Sequence, residues 1–257
     1  MMIVSVDAAT AHQEPAVTAM VREIRSEADT FVFLSGGASK MTDATKEKVL
    51  GLLQALAVIA GERKLAVGDG GTKAGLMAAA GEVRRRAPRP FLLIGVAPAP
   101  DITRTGEPGK TPVEPNHTHL VAVTNEAWAK EQRARGWTPD EGYWGSETDV
   151  MYDLFGRIAQ GRPSAAIVAN GGTVTVEEVR RNMARGRTMI VVAGSGRAAD
   201  ALVAVLEGRQ TTDEEVQKLM PSVERLNPTS RRDLFEVFPL ERGADGLAAV
   251  LRHRLTD

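Results

Sequence analysis

The sequence predicts an α/β protein, a mainly parallel sheet with helices on both faces. Three observations point there. Short runs such as Phe31–Leu34, Phe91–Val96, Ala165–Val168 and Met189–Val192 are continuously apolar rather than alternating, as in strands covered on both sides. Segments with helical stripes separate these runs; Val49, Leu52, Leu53, Leu56 and Ile59 form one such stripe. Four runs end in glycine-bearing corners, at Ser35–Gly37, Gly68–Thr72, Asn170–Gly172 and Gly194–Gly196.

Taken in order, residues 15 to 28 read as a leading helix, and Phe31–Leu34 is the first strand. Thr42 or Asp43 caps the striped helix, which Gly61 ends. Leu65–Val67 is a second strand, followed by a helix from about Lys73 to Arg86 whose basic finish (Arg84, Arg85, Arg86) suits its negative end. After Phe91–Val96 comes a proline-rich excursion, Ala97–Thr118, too long for a simple connector and so expected to be functional. His119–Val123 makes a further strand, residues 124 to 146 are loop with some helix, and Glu147–Gln160 is helical. Past Ala165–Val168, the T-x-x-E spacing of Thr175 and Glu178 reads as a capping box opening the next helix. Met189–Val192 then enters Gly194-Ser195-Gly196, and Ala198, Leu202, Val205 and Leu206 recur helically until Gly208 closes the helix. An acidic helix near Asp213–Met220, an apolar segment at Phe235–Pro239 and a last helix at Ala244–Leu255 complete the chain. With no repeat and no composition break, residues 1–257 are expected to form a single domain, with a core of about 30–208 and a helical extension at 209–257.

Composition narrows the function classes. At 257 residues, with 43% apolar and 25% charged, the chain is ordinary globular material. A net charge of −1 gives no support for nucleic acid or an anionic membrane surface. The absence of cysteine excludes disulfides and thiolate metal sites. The opening MMIVSVDAAT lacks the basic region of a signal peptide, and Val49–Ala60 is too short to span a bilayer, so a soluble cytoplasmic location is expected.

If the strands are parallel, all four corners lie on one edge of the sheet, where ligands of open α/β sheets bind. A strand, a glycine turn and a helix present backbone N–H groups and a positive helix end to an anion. Arg197 fits that reading: a cation in a helix's first turn opposes the macrodipole, and a bound anion would reverse the sign. The alternatives are that Arg197 turns outward or pairs with Asp200. Two tempting motifs fail. Gly106–Thr111 would need a glycine where Arg104 stands, and Pro112 denies the helix start of a phosphate loop. Gly68-x-Gly70 follows a strand, but the next strand ends in Gly95-Val96-Ala97, with no carboxylate for a ribose diol, which argues against dehydrogenase-style NAD binding. Asn116-His117-Thr118-His119 sets two imidazoles on one side of an extended segment; a loop-fixing or ligand-edge role is expected there rather than a metal site.

Assembled in order, several pieces resemble the SLOG superfamily. They are Val32–Gly37 (VFLSGG), Gly68–Met77 (GDGGTKAGLM), Ile94–Pro98 (IGVAP), Pro115–Leu120 (PNHTHL), Gly171-Gly172-Thr173, Gly194–Asp200 (GSGRAAD) and Leu234–Phe238. More narrowly, from about Phe31 to Leu255 the chain is similar to the cytoplasmic N-terminal domain of melastatin-type transient receptor potential channels and its stand-alone prokaryotic relatives. The resemblance implies a Rossmann-like fold that binds nucleotide-derived signals such as ADP-ribose and its cyclic forms. It implies that Arg197 contacts the ligand and that Trp144, in Trp144-Gly145-Ser146-Glu147, stacks on it. Seven residues after that ring the channel pattern has a second arginine, where this chain has Met151.

The expected ligand site therefore comprises Ser35, Gly36 and Gly37; Gly68, Gly70, Gly71 and Thr72; Asn116 and His117; Trp144 and Glu147; Asn170, Gly171, Gly172 and Thr173; and Gly194, Ser195, Gly196 and Arg197. The expected function is a non-catalytic nucleotide sensor without cofactor or metal, working as a homo-oligomer or through an effector the sequence does not name. The alternative comes from the wider superfamily, whose phosphoribohydrolases carry a P-G-G-x-G-T-x-x-E motif. Asn170 to Glu178 resembles it, with Asn170 in place of proline and Val174 in place of the third glycine, and implies Glu178 as the carboxylate that would cleave a nucleotide's N-glycosidic bond.

Overall fold

Successive residues of the Phe31–Leu34 run enter two different apolar layers. Phe31 and Phe33 pack into one, Val32 and Leu34 into the other. Side chains alternate along a strand, so a run apolar at every position must lie between two covered faces. The computed structural model, which describes residues 1–37 and 41–256, has this arrangement.

The elements are β1 (Met2–Asp7), α1 (Pro15–Glu27), β2 (Thr30–Gly36), α2 (Asp43–Glu62), β3 (Leu65–Asp69), α3 (Gly75–Arg86) and β4 (Leu92–Pro98). There follow β5 (Ile102–Thr103), β6 (Thr111–Pro112), β7 (His119–Thr124), α4 (Glu126–Arg133), α5 (Thr148–Ala159), β8 (Ser164–Ala169) and α6 (Thr173–Ala184). The chain ends with β9 (Met189–Ala193), α7 (Arg197–Leu206), α8 (Glu214–Glu224), α9 (Pro228–Leu234), β10 (Phe235–Pro239) and α10 (Gly243–Arg254). Among the described residues, eight strands form one sheet in the order β1-β7-β4-β3-β2-β8-β9-β10, with every pairing parallel. Helices α1, α5, α6, α7 and α8 cover one face, and α2, α3 and α10 the other. The strands β5 and β6 form a separate two-residue ribbon within the proline-rich excursion.

The path reverses once in a way that matters for function. From β2 the chain steps through β3 to β4 in one direction; β8 then pairs with the opposite side of β2 and leads through β9 to β10. Accordingly α2, after β2, packs on one face and α6, after β8, packs on the other. Their departures open a crevice above the carboxyl ends of β2 and β8.

Several elements differ from the sequence expectation. β1 is a strand, paired to β7, although only Val4 and Val6 of it are buried; an edge strand needs little apolar content. Phe235–Pro239 pairs with β9 as an eighth strand, so residues 209–257 are not only helical. α2 continues through Gly61 to Glu62, because Arg63 at its end still donates its N–H to the Ile59 carbonyl. α6 begins at Thr173, two residues before the expected capping box. No described helix is long and apolar enough to cross a membrane.

Gly68 lies inside β3, and a methyl on it would stand 2.6 Å from Phe155 Cζ and 2.7 Å from Phe31 Cζ. Both rings are buried and locked against Phe33. At Gly70, two residues on, the nearest atom to a methyl is the flexible tip of Met77 at 3.8 Å. Gly68→Ala should therefore cost ~1–3 kcal/mol of stability, the range for overpacking a filled core. Calorimetry should record a melting point lower by ~2–10 °C for Gly68→Ala and nearly unchanged for Gly70→Ala.

Candidate functional site

The parallel order sets the corners after β3, β2, β8 and β9 side by side on one edge of the sheet. A cleft of about 510 Å³ opens at the β2–β8 reversal. Leu34, Gly36 and Gly37 of β2 and its corner form one part of its lining, and Gly70, Thr72, Ala74 and Met77 after β3 form another. Trp144, Glu147 and Met151 come from the approach to α5 and its first turn, Gly172–Thr175 and Glu178 from α6, Arg197 from α7, and Thr111 from the β6 ribbon. Gly36 is needed where the β2 and β8 ends converge, since a Cβ there would lie 2.3 Å from the Ala169 carbonyl oxygen.

The anion-favouring wall is the start of α6. Thr173, Val174 and Thr175 occupy its first turn, where N–H groups have no partner within the helix. The Thr175 hydroxyl accepts from the Gly172 N–H at 3.3 Å and tightens that entry. Arg197 reaches the same place from the neighbouring corner: a Cβ on Gly172 would stand 2.8 Å from its Nη2. Arg197 and Asn170 are the two non-glycine residues with positive φ among the described residues, at 49° and 55°. For arginine that conformation costs on the order of 1 kcal/mol, offset by the packing that seats its side chain over Gly172. Asn170 ties the two corners together: its N–H donates to Ser195 Oγ at 2.8 Å and its carbonyl accepts the Ala199 N–H at 3.0 Å.

The Gly194-Ser195-Gly196 turn has a different role from the one expected. Asp200 accepts the Gly194 N–H at 2.7 Å and the Gly196 N–H at 3.1 Å, and the Ser195 hydroxyl donates to the Val192 carbonyl at 2.6 Å. A carboxylate from the first turn of α7 already sits where an anion was expected, so these two amides are not presented to the cleft. Asp200 serves the turn.

The cleft also carries two buried acids. Glu147 accepts the Gly145 N–H at 2.9 Å and is buried; burial raises its carboxyl to about 7, with the charge of Asp101 adding to the rise and the two backbone hydrogen bonds opposing it. Glu178, also buried, is pushed well above the ordinary carboxylate range by burial and by the charges of Glu147 and Asp69, while the Ser35 hydroxyl pulls the other way. With α6 starting at Thr173, Glu178 lies beyond the first turn and caps nothing; its side chain faces the cleft. Met151 lines the cleft too, with a thioether in place of the channel pattern's second arginine. Trp144 stands at the rim, 38% exposed.

The remaining expected residues lie behind the lining. The Ser35 hydroxyl is 3.4 Å from the Tyr152 hydroxyl, Gly68 is enclosed by Phe31 and Phe155, and Gly171 packs on Thr175. Gly71 donates its N–H to Asp69 Oδ1 at 2.7 Å. Asn116 donates to Glu114, and His117 is buried with Nε2 2.7 Å from Asp69 and Nδ1 3.1 Å from Glu114. Burial opposes charge on His117, but the two carboxylates outweigh it and hold the imidazolium up to about 9. His117 thus fixes the excursion onto the β3 corner. His119 meets Thr118 and Glu23 instead, so the two imidazoles share no partner. The expected site left out Leu34, Ala74, Met77, Thr111, Met151, Val174 and Thr175 of the lining, together with Asp69 and Glu114. Leu34, Asp69, Ala74, Met77 and Val174 lay inside motifs that carry the resemblance; Thr111 and Glu114 had no such local signal.

Stability should fall as pH rises. The folded chain keeps a proton on Glu147 up to about 7 while the unfolded chain releases it near 4.5, so folding takes up a proton between those values. His117 does the same between 6.5 and about 9, and the stability it contributes, complete below 6.5, is lost above. Denaturant titrations from pH 5 to 9 should show a decline on the order of 1–3 kcal/mol for each group. Glu147→Gln should flatten its lower limb, and His117→Gln its upper.

The chain matches no curated protein. Among solved structures, the X-ray structure of TM1055, a structural genomics target, is similar to it with a TM-score of 0.51 at 15% identity, covering 88% of this chain and 99% of that one. The likeness is one of fold, an α/β sheet of the Rossmann-like kind. The family profile described as SLOG in TRPM, prokaryote, matches residues 29–135 and 138–245, which include β2 to β10 and the whole lining of the cleft. The chain belongs to this prokaryotic LSDAT family of SLOG domains, a nucleotide-related family.

Proposed function

We propose that the cleft binds a nucleotide-derived ligand of the ADP-ribose class and that the domain acts as its sensor. The observation that carries this reading is the convergence of Arg197 and the first turn of α6 on one side of a cleft of about 510 Å³, with Trp144 at its rim. That volume lies inside the ~300–1,000 Å³ typical of small-molecule sites. Phosphate oxygens would lie between the Arg197 guanidinium and the α6 amides, where donors and helix dipole act together. Trp144 would stack on the base. The Gly36-Gly37 and Gly70 corners contribute close backbone approach. Ser35, Gly68, Gly71, Asn116, His117, Asn170, Gly171, Gly194, Ser195 and Gly196 support the walls from behind.

A second reading is favoured by one observation: Glu178 is buried at the cleft, raised well above its ordinary range and not occupied in capping. Such a carboxyl can hold a proton near neutrality and deliver it to a leaving base. On this reading the protein is a phosphoribohydrolase-like enzyme.

Titration calorimetry with ADP-ribose, cyclic ADP-ribose, NAD and AMP tests the sensor. Arg197→Ala should weaken the bound ligand by ~10–100-fold, the loss expected for a charge-assisted hydrogen bond, and Trp144→Ala by ~2–10-fold. Unchanged affinity in Arg197→Ala would remove the phosphate clamp. Chromatography of nucleoside monophosphates after incubation separates the two readings: the sensor releases no base, whereas release abolished by Glu178→Gln would favour the hydrolase. Light scattering with and without ADP-ribose tests the homo-oligomer expected to carry the signal, alone or with an effector.

A further inference from the structure

Trp144 lies between two glycines of positive φ, Gly142 at 81° and Gly145 at 100°, on the approach to α5. Glycine has the most backbone freedom to lose on ordering, so the backbone alone places a ring between two of them poorly. Side chains compensate. Asp101 Oδ2 accepts the Tyr143 N–H, and Glu147 Oε2 accepts the Gly145 N–H at 2.9 Å, so the amide on either side of Trp144 is held by a carboxylate. The Gly142 carbonyl accepts from Trp137 Nε1 at 3.0 Å, and the Ser146 carbonyl accepts from Asn125 Nδ2 at 2.8 Å. Trp137 packs edge to face on Trp128 and on Tyr143, with ring centroids 5.2 and 5.0 Å apart, whereas Trp144 lines the cleft. An indole left 38% exposed on a corner tied at four points is a presented surface.

Of these four ties, Asp101 alone comes from outside residues 125–147. It ends the turn after β4, at the head of the proline-rich excursion. Its neighbour Ile102 pairs with Thr111, which lines the cleft, so the excursion reaches both the corner and the lining. Carboxylate and indole also meet at one glycine: a Cβ on Gly142 would lie 3.0 Å from Asp101 Oδ2 and 3.0 Å from Trp144 Cδ1. We infer that Asp101 is a positioning residue for Trp144, clamping the Gly142–Gly145 corner to the excursion so that the indole stands ordered at the rim to stack on a flat ring of the ligand. Glu147 lines the cleft and can meet a ligand itself; Asp101 is not part of the lining and acts through the ring. That the flat ring is a nucleotide base rests on the proposed function, whereas the clamp does not. A ring already ordered spares the ligand the cost of ordering it, so losing the clamp lowers affinity for the base and leaves the hold on phosphate unchanged.

Two measurements on the full chain test this. The first needs no ligand: nitrogen relaxation of the indole N–H groups by NMR, with Trp144→Phe assigning the Trp144 signal. In the wild type the Trp144 indole should be as rigid as that of Trp128 on the fast timescale this reports. Asp101→Ala should loosen Trp144 and leave Trp128 as it was, and Asp101→Asn, which keeps an acceptor oxygen, should restore the rigidity. Gly142→Ala, whose methyl crowds the indole from the other side, should loosen it too. The second is calorimetry with ADP-ribose and with inorganic pyrophosphate. Asp101→Ala should weaken ADP-ribose by ~2–10-fold, the range for losing the ring itself, and leave pyrophosphate unchanged. In the double variant Asp101→Ala/Trp144→Ala the two losses should not add, because one acts through the other. A Trp144 indole equally rigid in Asp101→Ala, an equal loosening of Trp128, or additive losses in the double variant would overturn the inference. If the wild type binds no ADP-ribose, the sensor reading fails, and the relaxation measurement still decides this one. Should Asp101→Ala not fold, Gly142→Ala and Asp101→Asn carry the test.

Discussion

The reversal of the sheet between β2 and β8 is the constraint from which the site follows. A parallel strand must be reached by a crossover, and right-handed crossovers force the helices after β2 and β8 onto opposite faces once the strand order changes direction. The space above those two strand ends is thereby left open to the corners and the segments that reach over them. Small residues line it because the strand ends are too close for anything larger: a Cβ on Gly36 would meet the Ala169 carbonyl, and one on Gly37 would lie 2.9 Å from the Gly171 Cα. The cleft is a product of chain topology before it is a product of any side chain.

Electrostatics then divides the cleft. The α6 entry and Arg197 favour anions, while Glu147 and, further along α6, Glu178 add carboxyls that burial pushes up. Such a division suits a ligand with phosphate at one end and hydrogen-bonding hydroxyl or amide groups at the other. The deeper charges stiffen the frame around it. The imidazolium of His117 between Asp69 and Glu114 joins β3, the excursion and, through Glu114 packed against Gly81, α3. A charge buried with two partners of opposite sign is expensive to rearrange, which fixes the Gly70–Thr72 corner in one place.

How much of this could be read in the sequence depended on the range of the physics involved. Strands β2, β4, β8 and β9 were legible because burial on both faces writes itself into every residue of the run. β1 was not, since an edge strand carrying only Val4 and Val6 inward resembles a brief leader segment. The four corners on one edge were legible as soon as the strands were taken as parallel. Which amides they leave open was not: Asp200 stands four to six residues from the glycines it binds, and the same carboxylate read equally well as a partner for Arg197. Glu178 looked like a cap because T-x-x-E is a local pattern, whereas its surroundings, Ser35, Tyr152 and Glu147, come from three other elements. Thr111 joins the lining only through tertiary placement, so no local signal marked it.

The closure of the Gly194–Gly196 turn by Asp200 also bears on how the proposed ligand would lie. With both glycine amides satisfied, the α7 corner contributes Arg197 alone, and the open donors belong to the first turn of α6. A phosphate of the proposed ligand would therefore be drawn toward the β8 side of the reversal rather than the β9 side. On the proposed reading, the rest of a nucleotide would then extend past Glu178 and Glu147 toward Trp144, the exposed ring at the rim. That path would set sugar hydroxyls next to the buried carboxyls and a base at the rim, so the order of groups along the proposed site follows from which of two neighbouring corners had already spent its amides on its own chain.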